Sequence, residues 1–268
     1  MGSIMNRSVS LGLAFILAGC ASVPTSFHPR DPISPPGFSH HAFDAVVRSA
    51  VSNGQVNYRA IQSDLRFRQY LDQLDRIDPN GFSREHRLAF WINAYNAFAI
   101  KGILDGESPA PYVGWYRYFK ARDYAVGGAR VNLYDLEHGI LRKQFNEPLV
   151  HFAIVCASAS CPKLQPWAYD GATLDRQLDE AVRGFINDSA RNRFDRQQKV
   201  ASLSMIFKWF ESDFAGAAGS VLAFIAPYVN DPELARELSQ PGYRIEYLEY
   251  DWSLNGLPPE ESAYARTS

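Results

Sequence analysis

Two cysteines lie close together in the middle of the chain, at Cys156 and Cys161. Pro162 follows the second cysteine, and proline is favoured at the first position of a helix. The amide groups and the dipole at a helix N-terminus stabilise a thiolate. The pattern therefore favours Cys161 as the nucleophile of a hydrolase or transferase that acts on an amide or a thioester.

A cysteine nucleophile needs a base within hydrogen-bond reach and a further group that orients the base. His138 is the candidate base, and Asn93, Asn96 and Asp251 are the candidate orienting groups. The hypothesis requires the fold to bring His138 and Cys161 together. The alternative is that His138 is a hydrogen-bonded structural residue beside an apolar stripe, and that the asparagines and Asp251 hold neighbouring loops.

The same cysteines also fit a disulfide. The chain has three cysteines, and two remain once Cys20, near its start, is set aside. In an oxidising compartment an even number of cysteines is most simply read as paired, and the small residues 157–160 allow the turn that the bond needs. A Cys156–Cys161 disulfide favours a non-catalytic module that binds a ligand or a partner.

A zinc site is a third alternative, since His138, His151, Cys156 and Cys161 are the ligand types that zinc prefers. Their spacing does not match the two close pairs of ligands that are typical of structural zinc sites. We therefore predict neither a metal nor a cofactor.

A long buried helix is expected to carry the two asparagines. Ser83 is a plausible N-cap, and the apolar run over residues 84–104 leaves Asn93 and Asn96 as the polar residues that stand out. Two amides three positions apart lie on one side of such a helix.

A hairpin and a shorter helix are expected to follow. Gly127 and Gly128 can adopt the positive φ of a tight turn and so predict a hairpin over residues 124–131. Asn132 is the predicted cap of a helix over residues 133–141, which contains His138.

The remaining segments complete the predicted fold. Residues 149–157 fit either a strand or a buried helix, an amphipathic helix starts at Thr173, and residues 244–250 fit a late edge strand. The chain is therefore predicted to be α+β, a helix-rich single domain with a small antiparallel sheet.

Four sequence blocks, in this order, resemble those of the domain of unknown function 547 family. They are residues 91–96, 136–142, 151–162 and 250–255. The resemblance extends over roughly residues 40–256. It implies that the blocks converge on one pocket around His138 and Cys161, and it supplies no activity.

The start of the chain resembles a bacterial lipoprotein signal. Arg7 precedes an apolar run over residues 9–18, which is shorter than the roughly 20 residues of a membrane-spanning helix and typical of an export signal. The small-residue pattern before Cys20 predicts cleavage after residue 19 and acylation of Cys20, such as by palmitate. Ala21, in place of Asp, favours the outer membrane, facing the periplasm. The alternative is an ordinary secretory signal.

The predicted organisation is a signal peptide over residues 1–19, a proline-rich tether over 20–38, one domain over 39–257 and a tail over 258–268. The 46% hydrophobic content suits a single domain with a sizeable core. The net charge is −2 without a basic cluster, which argues against nucleic acid as a partner. The expected partners are the membrane, through the lipid on Cys20, and an unidentified envelope substrate or protein.

Overall fold

The computed structural model describes residues 23–260 of the 268-residue chain. The predicted signal peptide, the predicted lipidation site Cys20 and most of the predicted tail lie outside the described residues. Within residues 23–260, no helix is both long and apolar enough to cross a membrane.

Helices form most of the regular structure. The α-helices in chain order are α1 (His41–Ala50), α2 (Tyr58–Gln62), α3 (Leu65–Asp75), α4 (Arg84–Leu104), α5 (Val113–Tyr116), α6 (Leu133–Asp135), α7 (Arg142–Phe145), α8 (Leu174–Ile186), α9 (Ile206–Trp209), α10 (Glu211–Ala218), α11 (Val221–Ile225) and α12 (Pro232–Leu238). Two π-helical segments, Arg117–Ala121 and Leu136–Leu141, continue α5 and α6. A 3-10 helix spans Pro148–Phe152.

The strands are short and form three small sheets among the described residues. They are β1 (Val51–Ser52), β2 (Gln55–Asn57), β3 (Tyr124–Val126), β4 (Ala129–Val131), β5 (Arg193–Asp195), β6 (Val200–Leu203), β7 (Arg244–Tyr247) and β8 (Gly256–Leu257). The sheet orders are β1-β2-β8, β3-β4 and β5-β6-β7. This arrangement confirms the α+β prediction.

The predicted small antiparallel sheet is present, and the other two sheets each also contain one parallel pair of strands. The β3–β4 hairpin is antiparallel as predicted, with its turn at Gly127 and Gly128. However, β8 pairs with β2 and β7 pairs with β6 in parallel. Parallel neighbours need a long crossover between them, and the helices between the paired strands provide it.

The predicted buried helix is present as α4. The hydroxyl of Ser83 accepts a hydrogen bond from the His86 N–H and caps its first turn. Asn93 and Asn96 lie within its buried face, which is otherwise apolar. The predictions of this helix and of its cap are confirmed.

The core consists of two hydrophobic clusters. The first surrounds α4 and includes α1, α3 and the β3–β4 hairpin, and the second surrounds α8, α10 and α11. Leu149, in the 3-10 helix, packs against both clusters. Residues 149–157, for which a strand and a buried helix were both predicted as alternatives, therefore begin in a 3-10 helix, and this helix connects the two clusters.

The described part of the predicted proline-rich tether packs against the domain. Phe27 is buried, and its ring centroid lies 5.9 Å from that of Trp91. The backbone of His28 approaches Gly128 so closely that a Cβ there would lie 2.3 Å from the His28 carbonyl oxygen. The Ile33 N–H donates to the Arg76 carbonyl at 2.7 Å. These contacts hold residues 27–33 of the predicted tether against the domain.

Candidate functional site

One cavity, of about 430 Å³, brings the predicted base and both cysteines together. His138, Cys156 and Cys161 all line it. Most of its remaining wall is aromatic: Tyr95, Trp115, Phe119, Tyr134, Trp209, Phe210, Tyr250 and Trp252. Phe119 belongs to the first hydrophobic cluster and Phe210 packs against the second, so the cavity lies where the two clusters meet.

The π-helical segment Leu136–Leu141 supplies two polar groups to the wall. As predicted, the Asn132 side chain caps the helix that leads into it, accepting a hydrogen bond from the Asp135 N–H at 2.7 Å. The following turns are π-helical rather than α-helical, a geometry that is frequent at functional sites. Glu137 and His138 both line the cavity from this segment.

Glu137 is a carboxyl group in an apolar wall. It is 9% exposed, and the Tyr95 hydroxyl donates to its Oε2 at 3.4 Å. Burial raises the pKa of Glu137 to about 7, although the nearby Arg142 opposes the change. The side chain therefore exchanges its proton near neutral pH.

Arg142, one turn after His138, contacts His138 directly. It also binds Asp213, which in turn contacts His151. Its Nε and Nη2 donate to the two carboxylate oxygens of Asp213 at 2.7 and 2.8 Å. Its Nη1 lies 2.6 Å from His138 Nδ1. The hydrogen bonds from Arg142 and His151 hold the pKa of Asp213 well below its usual range.

This contact determines which nitrogen of His138 carries a proton. A guanidinium only donates, so Nδ1 accepts and the neutral ring has its hydrogen on Nε2. Burial, with the positive charge of Arg142, lowers the pKa of His138 to about 4. His138 thus offers a hydrogen-bond donor to the cavity, and its accepting nitrogen is already in use.

His151 has the opposite arrangement. Its Nε2 lies 2.9 Å from Asp213 Oδ2, and a carboxylate only accepts, so Nε2 donates. Its Nδ1 is a buried acceptor without a hydrogen-bond partner among the described residues. Phe210 stacks on the ring at 3.9 Å between centroids, and burial lowers the pKa of His151. His151 and Asp213 form the histidine–carboxylate pair of the site.

The two sulfur atoms are bonded to each other. Cys156 and Cys161 form a disulfide with a Cα–Cα distance of 6.1 Å. The Cys156 N–H and the Tyr250 hydroxyl lie 2.9 and 3.3 Å from Cys161 Sγ. A disulfide has no thiolate, so Cys161 is not a nucleophile in this state, and neither sulfur is available to zinc as a thiolate.

The prediction of a helix starting at Pro162 is wrong. No helix or strand lies between the 3-10 helix Pro148–Phe152 and the 3-10 turn Gly171–Thr173. Pro166 lies four residues after Pro162. It lacks the N–H that would hydrogen-bond in the first turn of a helix starting at Pro162. The helix dipole therefore does not act on Cys161.

Asn93 and Asp251 do not line the cavity. The Asn93 amide donates to the Tyr169 carbonyl at 2.7 Å and accepts from the Tyr169 N–H at 2.9 Å, which occupies it in holding that loop. Asp251 is exposed, and its carboxylate accepts from the Ser253 N–H at 2.8 Å.

Asn96 positions the segment that leads to the disulfide. Its amide donates to the Ala153 carbonyl and accepts from the Val155 N–H, each at 2.9 Å. Both asparagines thus hold neighbouring segments of backbone, which is the structural alternative to an orienting role.

Residues 79–186 match the family model described as "Protein of unknown function, DUF547". The match includes α4, the π-helical segment with Glu137 and His138, and both cysteines. The block at residues 250–255 lies outside it. The comparisons with curated proteins and with solved structures found no match.

Proposed function

We propose that this chain, whose residues 79–186 match the DUF547 family model, is a lipid-anchored protein of the bacterial envelope. We also propose that its cavity binds a small apolar or aromatic molecule. The cavity itself is the observation that carries the proposal. Its volume of about 430 Å³ lies in the range typical of small-molecule sites, which combine apolar walls with few polar groups.

The polar groups of the cavity define what the ligand must offer. His138 supplies a donor, His151 an acceptor, and Glu137 a carboxyl that donates when protonated and accepts when ionised. These three side chains lie among aromatic rings, so a flat ligand with one polar end fits the site best. The closed disulfide supports binding over catalysis, because it leaves no free thiol in the wall.

The anchoring part of the proposal has its support in the first residues of the sequence. The charged start, the short apolar run and the small residues before Cys20 are typical of acylated envelope proteins, and two acyl chains hold a protein stably at a membrane. The outer membrane, facing the periplasm, is the proposed location. Mass spectrometry of the N-terminal peptide from membranes tests it: a peptide that starts at an acylated Cys20 supports the proposal, and an unmodified Cys20 refutes it.

Fluorescence of N-phenyl-1-naphthylamine, an aromatic probe that brightens in apolar sites, tests ligand binding. We expect saturable binding that Trp252→Ala weakens about three- to tenfold, since an aromatic contact contributes roughly 0.5–1.5 kcal/mol. Trp252 lines the cavity, 4.6 Å from Tyr250 between ring centroids.

Trp167→Ala is the matched control. Trp167 is also half-buried and packs on Tyr169 at 5.0 Å between centroids, but it does not line the cavity. Its replacement is expected to leave the affinity unchanged. Equal losses in both variants, or a signal that does not saturate, would contradict the proposal.

A second candidate function is thiol-dependent acyl transfer after reduction of the disulfide. A dithiol reductant would supply two electrons and two protons and become a disulfide itself. The observation that favours this candidate is the position of Cys161 Sγ, which lies near the Cys156 N–H and the Tyr250 hydroxyl in the same cavity as both histidines. Donors of this kind stabilise a thiolate.

In this mechanism Cys161 Sγ forms a bond to a carbonyl carbon, and the bond from that carbon to an amide nitrogen or a thioester sulfur breaks. The thiol proton moves to a base and then to the leaving group. His138 was the predicted base, but its Nδ1 accepts from Arg142. His151 Nδ1, oriented by Asp213, is the better candidate, and His138 Nε2–H then serves as a donor to the carbonyl oxygen.

Alkylation of the reduced protein by iodoacetamide at pH 6 tests whether Cys161 is an activated thiol and whether His151, rather than His138, is its base. For a catalytic thiol we expect Cys161 to react faster than a peptide thiol, and His151→Gln to slow it at least about tenfold, within the usual range for loss of an acid–base group. His138→Gln and the exposed control His41→Gln are expected to change the rate less than twofold. A rate equal to that of a peptide thiol would rule this candidate out.

A further inference from the structure

A cluster of large apolar side chains lies exposed at one turn of the surface. Tyr112, Val113 and Tyr116 are 91%, 71% and 57% exposed. Tyr112 also has a φ of +68°, which non-glycine residues rarely adopt. Exposed apolar side chains normally occur singly, and a contiguous group marks an interaction site.

This cluster borders the cavity. Trp115, in the same turn, points inward and lines the cavity wall. Its ring lies 6.2 Å from that of Tyr134, and Tyr134 lies 4.1 Å from the ring of His138. The exposed cluster therefore lies next to the π-helical segment that carries the polar groups of the site.

The beginning of the described chain lies against the same π-helical segment. A Cβ added at Gly139 would lie 2.1 Å from Val23 Cγ2. Cys20 precedes Val23 by three residues, which span at most about 11 Å when fully extended. A lipid on Cys20 therefore enters the membrane within about 11 Å of Val23, and Val23 lies against Gly139 in the π-helical segment that Tyr134 and Trp115 connect to the exposed cluster.

Charge on this surface favours the same orientation. Lys120 is exposed, with its Nζ 3.9 Å from the centroid of the Tyr134 ring, and within residues 23–260 it has no carboxylate partner. Arg117, 62% exposed at its side chain, lies beside the cluster but is paired with Glu107 at 3.0 Å, so Lys120 is the cation that remains available there among the described residues. Basic side chains near an apolar surface attract anionic lipid headgroups.

We propose that Tyr112, Val113 and Tyr116 form a membrane-contact surface that lies in the headgroup region of the bilayer to which Cys20 is anchored, so that the cavity opens beside the lipid surface. Tyrosine is enriched at this depth because its ring is apolar and its hydroxyl is polar. The inference rests on the proposed anchoring. It narrows the proposed ligands to apolar molecules that reach the cavity from or along the membrane.

Quenching by brominated phospholipids tests this surface. The full chain, purified from membranes, is reconstituted into vesicles of phosphatidylethanolamine and phosphatidylglycerol with or without bromine on the acyl chains. Tyr112→Trp adds one tryptophan to the surface, and Leu65→Trp adds one at another exposed apolar position, where Leu65 is 64% exposed. We expect bromine to quench about half of the added fluorescence at residue 112 and less than about a tenth at residue 65, because interfacial rings lie beside the upper acyl chains.

Flotation of the same vesicles distinguishes the two possible failures. A chain that floats but shows equal quenching at residues 112 and 65 overturns the contact surface alone, and leaves the exposed cluster to a protein partner. A chain that does not float overturns the anchoring and the surface together. Tyr116→Trp repeats the measurement at a second site in the cluster, so that a misfolded Tyr112→Trp protein does not decide the result.

Discussion

At the scale of single residues, the cavity depends on how Glu137 and the two histidines hold their protons. Burial raises the pKa of Glu137 to about 7 and lowers that of His138 to about 4. Near neutral pH both histidines are therefore uncharged, and Glu137 is protonated in about half of the molecules. An uncharged lining is compatible with an apolar ligand, whereas fixed charges without partners would oppose its binding.

Glu137→Gln is expected to change the pH dependence of stability. The pKa of Glu137 is 4.5 in the unfolded chain and about 7 in the folded protein, so its stabilising contribution is complete below pH 4.5 and is lost as the pH rises through 7. Glutamine keeps the shape without the charge. The variant should match the parent at pH 4.5 and exceed it above pH 8 by up to about 3 kcal/mol.

Urea unfolding at pH 4.5, 6 and 8 measures this difference. The histidines act in the opposite direction, since their lowered pKa values reduce stability as the pH falls, but they are the same in both proteins and cancel. Glu249→Gln, at an exposed glutamate, is the control and should show no such trend. A difference between Glu137→Gln and the parent that does not vary with pH would contradict the assigned burial effect.

Part of this site could be predicted from the sequence. The cysteines and His138 stand out by type and spacing, and the structure places them at one cavity. The orienting role of Asp213 could not be predicted, because 62 positions separate it from His151 and no local pattern connects them. The direction of the hydrogen bond between Arg142 and His138, which decides the tautomer, also requires coordinates.

At the scale of elements, strong local signals gave correct predictions. The Ser83 and Asn132 caps, the buried helix α4 and the Gly127–Gly128 hairpin each depend on residues a few positions apart. The π-helical geometry of Leu136–Leu141 and the parallel pairing of β2 with β8 depend on distant packing. For this reason periodicity alone did not reveal them.

Gly139→Ala is expected to release the N-terminal segment without unfolding the domain. Alanine favours a helix, but its Cβ would meet Val23. Because local opening can occur far below the cost of global unfolding, we expect chymotrypsin to cleave after Phe27 at least about fivefold faster, with the thermal midpoint nearly unchanged.

Two further variants complete this experiment. Gly216→Ala adds a methyl group at a helical glycine with open space around it, and should leave the cleavage rate unchanged. Val23→Ala combined with Gly139→Ala removes the steric conflict and should restore slow cleavage. Slow cleavage in Gly139→Ala alone would show that Val23 does not fix the segment.

At the scale of the whole molecule, the disulfide loop connects distant parts of the chain. The Ala159 and Ser160 N–H groups donate to the carbonyls of Ser253 and Asp251 at 2.7 and 3.1 Å. The chain then continues into β8, which pairs with β2 near the other end of the domain. The disulfide loop, whose two cysteines line the cavity, therefore also holds together segments that are far apart in the sequence.

Replacing both cysteines by serine is expected to lower the free energy of unfolding by about 2 kcal/mol, the small effect that closure of a very short loop predicts. Chemical denaturation of the double variant measures it, and the parent protein reduced with dithiothreitol should show the same loss. If reduction leaves the stability of the parent unchanged, the two thiols are not paired in the folded protein.

The docking of Phe27 against Trp91 determines how far an anchored domain travels. Eighteen residues of free chain would let it range over about 60 Å, whereas the three residues before Val23 allow only about 11 Å. On the proposed anchoring, a domain held this short reaches only molecules that diffuse within, or directly above, the leaflet that carries the lipid, and its effective concentration toward them is correspondingly high.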